Sequence, residues 1–204
     1  MPADVLTRKS IARVAIDLID RDGYAAFTMP RLADELGIRT PSLYYHFADR
    51  AEILAEVARQ VVLETKRPDR SPEAPWTDYF VALSVNFRRT ILRHRNTAPV
   101  LVQFLPRDIL TPLYEDAAEL LSGVAGLPTA AHVLILDGLE KLTIGTALIE
   151  SSSPLRPRQA VFTNLDAGRY PHLTAAAGAS TLDAEQLFVA TVRAFLEGAT
   201  AEPM

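Results

Sequence analysis

Residues 39–50 read RTPSLYYHFADR. A Thr-Pro pair opens the stretch, two tyrosines and a histidine fill its middle, and Asp-Arg closes it. Leu43 and Phe47 lie four apart, so on a helix both turn to one inward face. Pro41, Ser42, Tyr45 and His46 then occupy the opposite, exposed side, with Tyr44 at its edge. Thr40 is expected to cap this helix and Pro41 to take its first position, where the absent N–H is no loss. Asp49, with Glu52 three residues on, has the spacing of a capping box, so another helix begins there.

Upstream, LTRKSIARVAIDLIDRDG places Ile11, Val14, Ala15, Leu18 and Ile19 on one stripe of an amphipathic helix that Gly23 can stop. MPRLADELG follows, with Thr28 as N-cap, Leu32, Ala33 and Leu36 facing inward, and Gly37 as terminator. Two short helices parted only by Gly37-Ile38-Arg39 form a helix-turn-helix, whose second helix enters the major groove with its N-terminal residues at the base edges. Ser and His bond base edges or phosphates, a Pro ring meets a thymine methyl, and Tyr hydroxyls reach phosphate oxygens. Thr28 and Arg31, Arg39, and Arg50 at the next helix start complete a phosphate-binding rim. A tyrosine on a short helix can equally be half-buried core with only its hydroxyl in water, and the register alone leaves both readings open for Tyr44 and Tyr45.

The helix from Asp49 runs through Ile53, Leu54, Val57, Ala58, Val61 and Val62 on one face. KRPDRSPEAP (66–75) holds three prolines and little that is apolar, which marks a boundary. Three parts are therefore expected: a DNA-binding domain over 1–65, a linker over 66–75, and a ligand-binding and dimerisation domain over 76–204. Helical patterns follow at Trp76–Arg95, Thr97–Leu105, Asp108–Val124, Thr129–Ser151 and 183–198, the last opening with Asp183 and Gln186 in capping-box spacing. Leu155–Thr181 reads as a long connection containing a short helix. No run alternates at period two, so the fold class is all-α.

The chain has 204 residues, 49% of them hydrophobic, enough for a sizeable core. It holds no cysteine, which excludes disulfide frameworks, Cys-ligated zinc and thiol nucleophiles. The opening residues carry no secretory pattern and no apolar stretch is long enough to span a bilayer, so a cytoplasmic, nucleoid-associated protein without a membrane partner is expected. The net charge of −4 lies wholly beyond residue 67, since residues 1–67 hold 10 basic and 10 acidic side chains. The four histidines (46, 94, 132, 172) have no metal-ligand spacing, and no nucleophile elbow, Walker loop or dinucleotide fingerprint is present. Neither enzyme nor cofactor is expected. Asp137, Glu140 and Lys141 read as a charged or salt-bridged surface patch.

Residues 7–62 closely resemble the DNA-binding domain of the tetracycline-repressor (TetR) family of bacterial transcription regulators. Ala15, Leu18, Gly23, Phe27-Thr28, Leu32-Ala33, Leu36-Gly37, Ser42–Phe47 and Asp49-Arg50 carry that resemblance. It implies that Thr40, Pro41, Ser42, Tyr44, Tyr45 and His46 contact DNA, and that Arg50 stands where the family usually has a phosphate-binding lysine. Ala48 replaces a frequent basic residue, and Pro30 takes a position that can carry a base-contacting arginine. Further on, NFRRTILRHRNTAPV (86–100) and LTIGTALIE (142–150) resemble the tetracycline repressors themselves. Their magnesium-binding histidine corresponds to Leu101 here, their partner-subunit glutamate to Ile149 or, with a one-residue slip, Glu150, and Lys66 stands where another histidine would. Neither metal nor tetracycline is therefore expected, because a hard cation needs oxygen or imidazole ligands.

Apolar residues take the place of those ligands. Leu83, Phe87, Leu101, Phe104 and Leu142, with Val100 and Leu105, line either a cavity or plain core. Asn86, Thr90, Gln103, Thr143 and Glu140 are the polar groups able to orient a small-molecule effector there. Thr129–Ser151 is apolar nearly all round, and Gly138 and Gly145 permit close helix approach. With Leu134, and with Leu187, Phe188, Thr191 and Phe195 on the last helix, it suggests a four-helix bundle between subunits; a core within one subunit is the other reading. Together these features predict a homodimeric repressor on double-stranded, palindromic operator DNA, released by a small, largely apolar effector. A co-repressed regulator or activator of the same fold, or a small-molecule-binding protein with a vestigial DNA-binding part, are the alternatives.

Overall fold

The computed structural model describes residues 6–71, 73–124, 126–152 and 165–200, and among these the protein is all-α. The first four helices are α1 (Arg8–Asp22), α2 (Met29–Glu35), α3 (Thr40–Leu43) and α4 (Arg50–Leu63). Then come α5 (Trp76–Arg93), α6 (Ala98–Gln103), α7 (Arg107–Ser122), α8 (Thr129–Ser151), α9 (Pro171–Ala179) and α10 (Ala184–Thr200). Single 3-10 turns precede α2 (Tyr24–Ala26) and α6 (Arg95–Thr97). The expected Trp76–Arg95 helix stops at Arg93, and residues 155–164 of the expected long connection lie outside the described residues.

Local chemistry sets these boundaries. Thr7 and Ser10 cap α1 reciprocally, and Gly23 ends it at φ 86°. Between α2 and α3 the chain makes a Schellman turn: Ile38 N–H donates to Ala33 O at 3.0 Å, Gly37 N–H donates to Asp34 O at 3.1 Å, and Gly37 takes φ 66°. That left-handed residue sets the angle between the two short helices. The capping box at α4 is present but shifted. Asp49 accepts from Glu52 N–H at 2.9 Å, while the Glu52 carboxylate reaches Ala48 N–H, one residue earlier than the usual geometry. Thr40 does not cap α3; Arg39 holds the N-cap place without a side-chain bond, so Thr40 and Pro41 are the first two helical residues.

All six apolar residues expected inward on α4 are buried, as are Ile11, Ala15, Leu18 and Ile19 of α1. Val14 is only half-buried, and Ala12 and Ile16 join the buried face instead. Packing does not divide at the proline-rich segment. One core runs from α1–α4 into the end of α5, α6, the start of α7 and the end of α8, including Ile91, Val100, Leu101, Leu110 and Ala147. A second core joins α5, α7, α8 and α10 around Phe80, Leu121, Ile135, Phe188 and Val192. Burial on this scale stabilises by about 1.5–3 kcal/mol per large apolar side chain. The head therefore rests on a shared apolar layer rather than hanging from a linker.

Candidate nucleic-acid interface and adjoining cavity

In the 39–50 stretch, Leu43 and Phe47 are fully buried and linked by the Phe47 N–H to Leu43 O bond at 3.0 Å. The chain around them turns Tyr45 outward, 88% exposed, and Tyr44, 54% exposed. Exposure of this size rules out the core reading for Tyr45. Pro41 is exposed beside it, and Thr40, Ser42 and His46 are partly exposed. Arg8 of α1 fixes the end of this turn: its guanidinium donates to His46 O and lies 4.2 Å from the centre of the Phe47 ring. Arg8 also pairs with Glu52 at 2.7 Å. Two helices thus hold the recognition turn from behind.

The cationic rim is arranged unevenly. Thr28 caps α2 and is exposed, as is Arg39. Arg50 sits 5.3 Å from the ring centres of both Tyr24 and Phe27, stacked on aromatic faces at the start of α4. Arg31, expected as a phosphate contact, is bound to Asp22 and to Ala26 O, so DNA must compete with Asp22 for it. Asp22 lies below its ordinary carboxylate range, first through its hydrogen bond with Arg21.

Behind the head, the end of α4 (Val62, Leu63), Thr65 just past it, α5, α7 and α8 enclose a cavity of about 160 Å³. Of the expected ligand contacts, Leu83, Phe87 and Thr143 line it, and Glu140 does too. The others lie elsewhere. Leu101 is fully buried in the first core, and Thr90 is buried with its hydroxyl donating to Asn86 O. Asn86 donates to Lys66 O at 2.8 Å and so pins the proline-rich segment. Gln103 accepts from the Tyr24 hydroxyl at 2.9 Å, Phe104 faces a polar groove under α4, and Leu142 is half-buried outside the cavity wall. Periodicity marked these as inward residues but not which interior they share. Tyr79, Phe80, Leu110, Leu113, Tyr114 and Leu136 are among the residues that line it without having been expected to, as are Ser84 and the charged Arg67 and Asp116. Leu101, expected at the place of a metal-binding histidine, offers only carbon and lies outside the cavity lining, so it cannot ligate a hard cation there.

Glu140 corrects the surface-patch reading. Lys141 and Asp137 do form an exposed pair, whereas the Glu140 side chain is only 15% exposed and turned to the cavity. It accepts from Arg107 Nη1 at 3.1 Å and Nη2 at 3.2 Å, and from the Tyr114 hydroxyl. The next residue, Asp108, pairs with Arg59 of α4. The first turn of α7 therefore touches the cavity wall with one side chain and the DNA-binding head with its neighbour. Pro112 lacks the N–H that would bond Asp108 O, which leaves that turn less tied to its own helix.

A second junction was invisible in the sequence. His94, just past α5, places Nδ1 at 2.6 Å from Asp20 of α1 and Nε2 at 2.9 Å from Glu64 beyond α4. The Asp20 hydrogen bond, chiefly, raises its pKa above the ordinary histidine value, with Glu64 adding to it against partial burial. Asp20 and His94 are 74 positions apart, so no local pattern announces the contact.

The seven positions expected at a subunit interface divide. Gly138, Phe188 and Phe195 pack within the chain: a Cβ on Gly138 would collide with the Phe195 ring, and Phe188 is buried. Leu134, Leu187 and Thr191 are exposed on the outer side, and a Cβ on Gly145 would meet open space. Val133 and Ile149 extend this apolar face. No helix among the described residues is long and apolar enough to cross a membrane.

The family model for bacterial regulatory proteins of the tetR family matches residues 11–57, and the one for the tetracyclin repressor-like C-terminal domain matches residues 68–202. The class C tetracycline repressor of Escherichia coli is 26% identical over 152 residues, covering 72% of this chain and 68% of the repressor. Apo ActR from Streptomyces coelicolor superposes with a TM-score of 0.78 at 27% identity, over 96% of this chain and 95% of that one. ActR in complex with actinorhodin superposes with a TM-score of 0.77 at 26% identity, over 96% and 97%. With an exposed recognition turn at one end and a cavity under it, the chain belongs to the TetR family of bacterial transcription regulators, DNA-binding through its N-terminal helix-turn-helix and ligand-binding through its C-terminal helical domain.

Proposed function

We propose that the protein is a homodimeric repressor that binds a palindromic operator and is released when a small, largely apolar effector fills the cavity. It acts in the cytoplasm, at the nucleoid. One observation carries the ligand response: Val62 and Leu63 at the end of α4, with Thr65 just past it, form part of the cavity wall. An occupant thus presses on the helix whose first turn adjoins the recognition residues. The first turn of α7 supplies the second lever, with Arg107 on Glu140 and Asp108 on Arg59. A ligand that prefers one setting of these contacts shifts the population of head positions, by no more than its differential affinity.

The DNA-binding set is Thr28, Arg39, Thr40, Pro41, Ser42, Tyr44, Tyr45, His46 and Arg50, with Arg31 in competition with Asp22. Two heads in a dimer joined through the outer face of α8 and α10 would read half-sites about one helical turn, roughly 34–36 Å, apart. Selection from a randomised duplex pool tests the reading. A recurring palindrome with that spacing is expected; a pool that gains no motif over successive rounds defeats it. Operator affinity with and without effector then gives the sign of the response, which separates release from co-repression.

A further inference from the structure

The cavity's chemistry specifies what it accepts. Its walls are aliphatic and aromatic, with Phe80 and Phe87 among them, so a flat apolar body fits. The charges at its lining are already paired: Arg67 with Asp116 at 3.1 Å and Glu140 with Arg107. An ionic ligand would enter without a counter-ion and lose its hydration, a cost that a neutral ligand avoids. Two polar groups of the lining are placed to bond a ligand. The Glu140 carboxylate accepts from Arg107 and Tyr114, and its oxygens have lone pairs beyond those bonds. Across from α8, Thr65 lines the cavity with its Oγ1 buried and without a partner among the described residues. A buried hydroxyl in that condition is costly, and a ligand that bonds it removes the cost.

We propose that the effector is a neutral aromatic molecule with oxygen functions at two ends, one a hydroxyl that donates to Glu140 and the other a group that bonds the Thr65 hydroxyl. This rests on the reading of the cavity as the effector site. The donor shares the Glu140 carboxylate with Arg107, and the group at Thr65 engages the segment that leaves α4, so the same two contacts that select the ligand are those that reach the head.

Four matched probes test it on the full-length protein by calorimetry: a naphthalenediol, its dimethyl ether, a hydroxynaphthoate and a hydroxynaphthyl trimethylammonium. The diol is expected to bind at least about tenfold more tightly than the other three, as a hydrogen bond to a charged acceptor contributes. Glu140→Gln is expected to weaken the diol by about tenfold and to strengthen the naphthoate, because Arg107 then lacks its counter-ion. Thr65→Val is expected to weaken the diol and leave the dimethyl ether less affected. Equal binding of diol and ether, preference for either ion, or no binding of the diol up to its solubility limit overturns the proposed class. The cavity reading fails separately: if Leu83→Trp, which fills the space, leaves the binding of every probe that does bind unchanged, the ligand sits elsewhere.

Discussion

Arg88 is among the largest fully buried side chains of the described residues, 1% exposed in the middle of α5. It donates to Glu150 of α8 at 2.6 Å and to Glu185 of α10 at 3.4 Å, and its guanidinium lies 5.5 Å from the Phe188 ring centre. Three helices meet on one cation. Replacing it with methionine keeps most of the stem's packing and removes the charge. Breaking a fully buried pair costs about 3–5 kcal/mol. Here Glu185 keeps its bond to Arg89, and Glu150 is 21% exposed, so water recovers part of the loss. The expected cost of Arg88→Met is therefore about 2–3 kcal/mol. Urea unfolding reads it as a lowered midpoint at unchanged slope, with protein concentration held fixed because the stability of the proposed dimer depends on it. Adding Glu150→Leu removes the stranded carboxylate and should return the midpoint to within about 1 kcal/mol of the parent. A single variant with no loss of stability, or a double variant worse than the single, would refute the claim that the pairing holds these helices.

His94 sets a pH dependence. Its pKa is raised in the folded state by Asp20 and Glu64, so its stabilisation is complete below about pH 6.5. That contribution fades as pH rises through the raised value. Melting temperature should fall over the alkaline side of that window, and His94→Gln should flatten the decline; an equal decline in both proteins rejects the link. Asp108→Asn cuts the contact between α7 and Arg59. Effector affinity for the isolated protein should hold while the operator-affinity ratio with and without effector falls toward unity, from the roughly 5–150-fold of typical coupling; an undiminished ratio sinks that lever. Leu134→Glu with Leu187→Glu places charge on the outer apolar face. Sedimentation should then show a folded monomer, and a persisting dimer would move the interface elsewhere.

Much of the head was legible residue by residue, with Thr40's cap and Val14's burial as the exceptions. Leu43 and Phe47 inside, Tyr45 outside and Asp49 as cap follow from a 3.6-residue period and from short-range capping, both local properties. Helix limits downstream were legible for the same reason, and Thr129–Ser151 is the observed α8. What the pattern does not encode is which apolar surface meets which. Leu101 and Phe87 carry the same inward signal, yet one closes the core under the head and the other lines the cavity. Gly138 read as a place where another helix comes close, and that helix is the chain's own α10 at Phe195. Glu140 was grouped with Asp137 and Lys141 as surface charge because polar residues on a helix usually are. The roles of Glu140, Arg107 and Asp108 come from contacts 33 and 49 positions away, and those of His94 and Asp20 from one 74 positions away.

The central claim is that the exposed face of RTPSLYYHFADR reads DNA. Affinity for a selected palindromic duplex and for its scrambled counterpart, at one fixed salt concentration, tests it in the parent and in Tyr45→Ala with His46→Ala. Tyr45 is exposed and His46 partly so, so the double variant should unfold within about 0.5 kcal/mol of the parent. The parent should prefer the palindrome by about a thousandfold or more, and the variant should lose that preference. A variant that still discriminates the palindrome as the parent does would contradict the account.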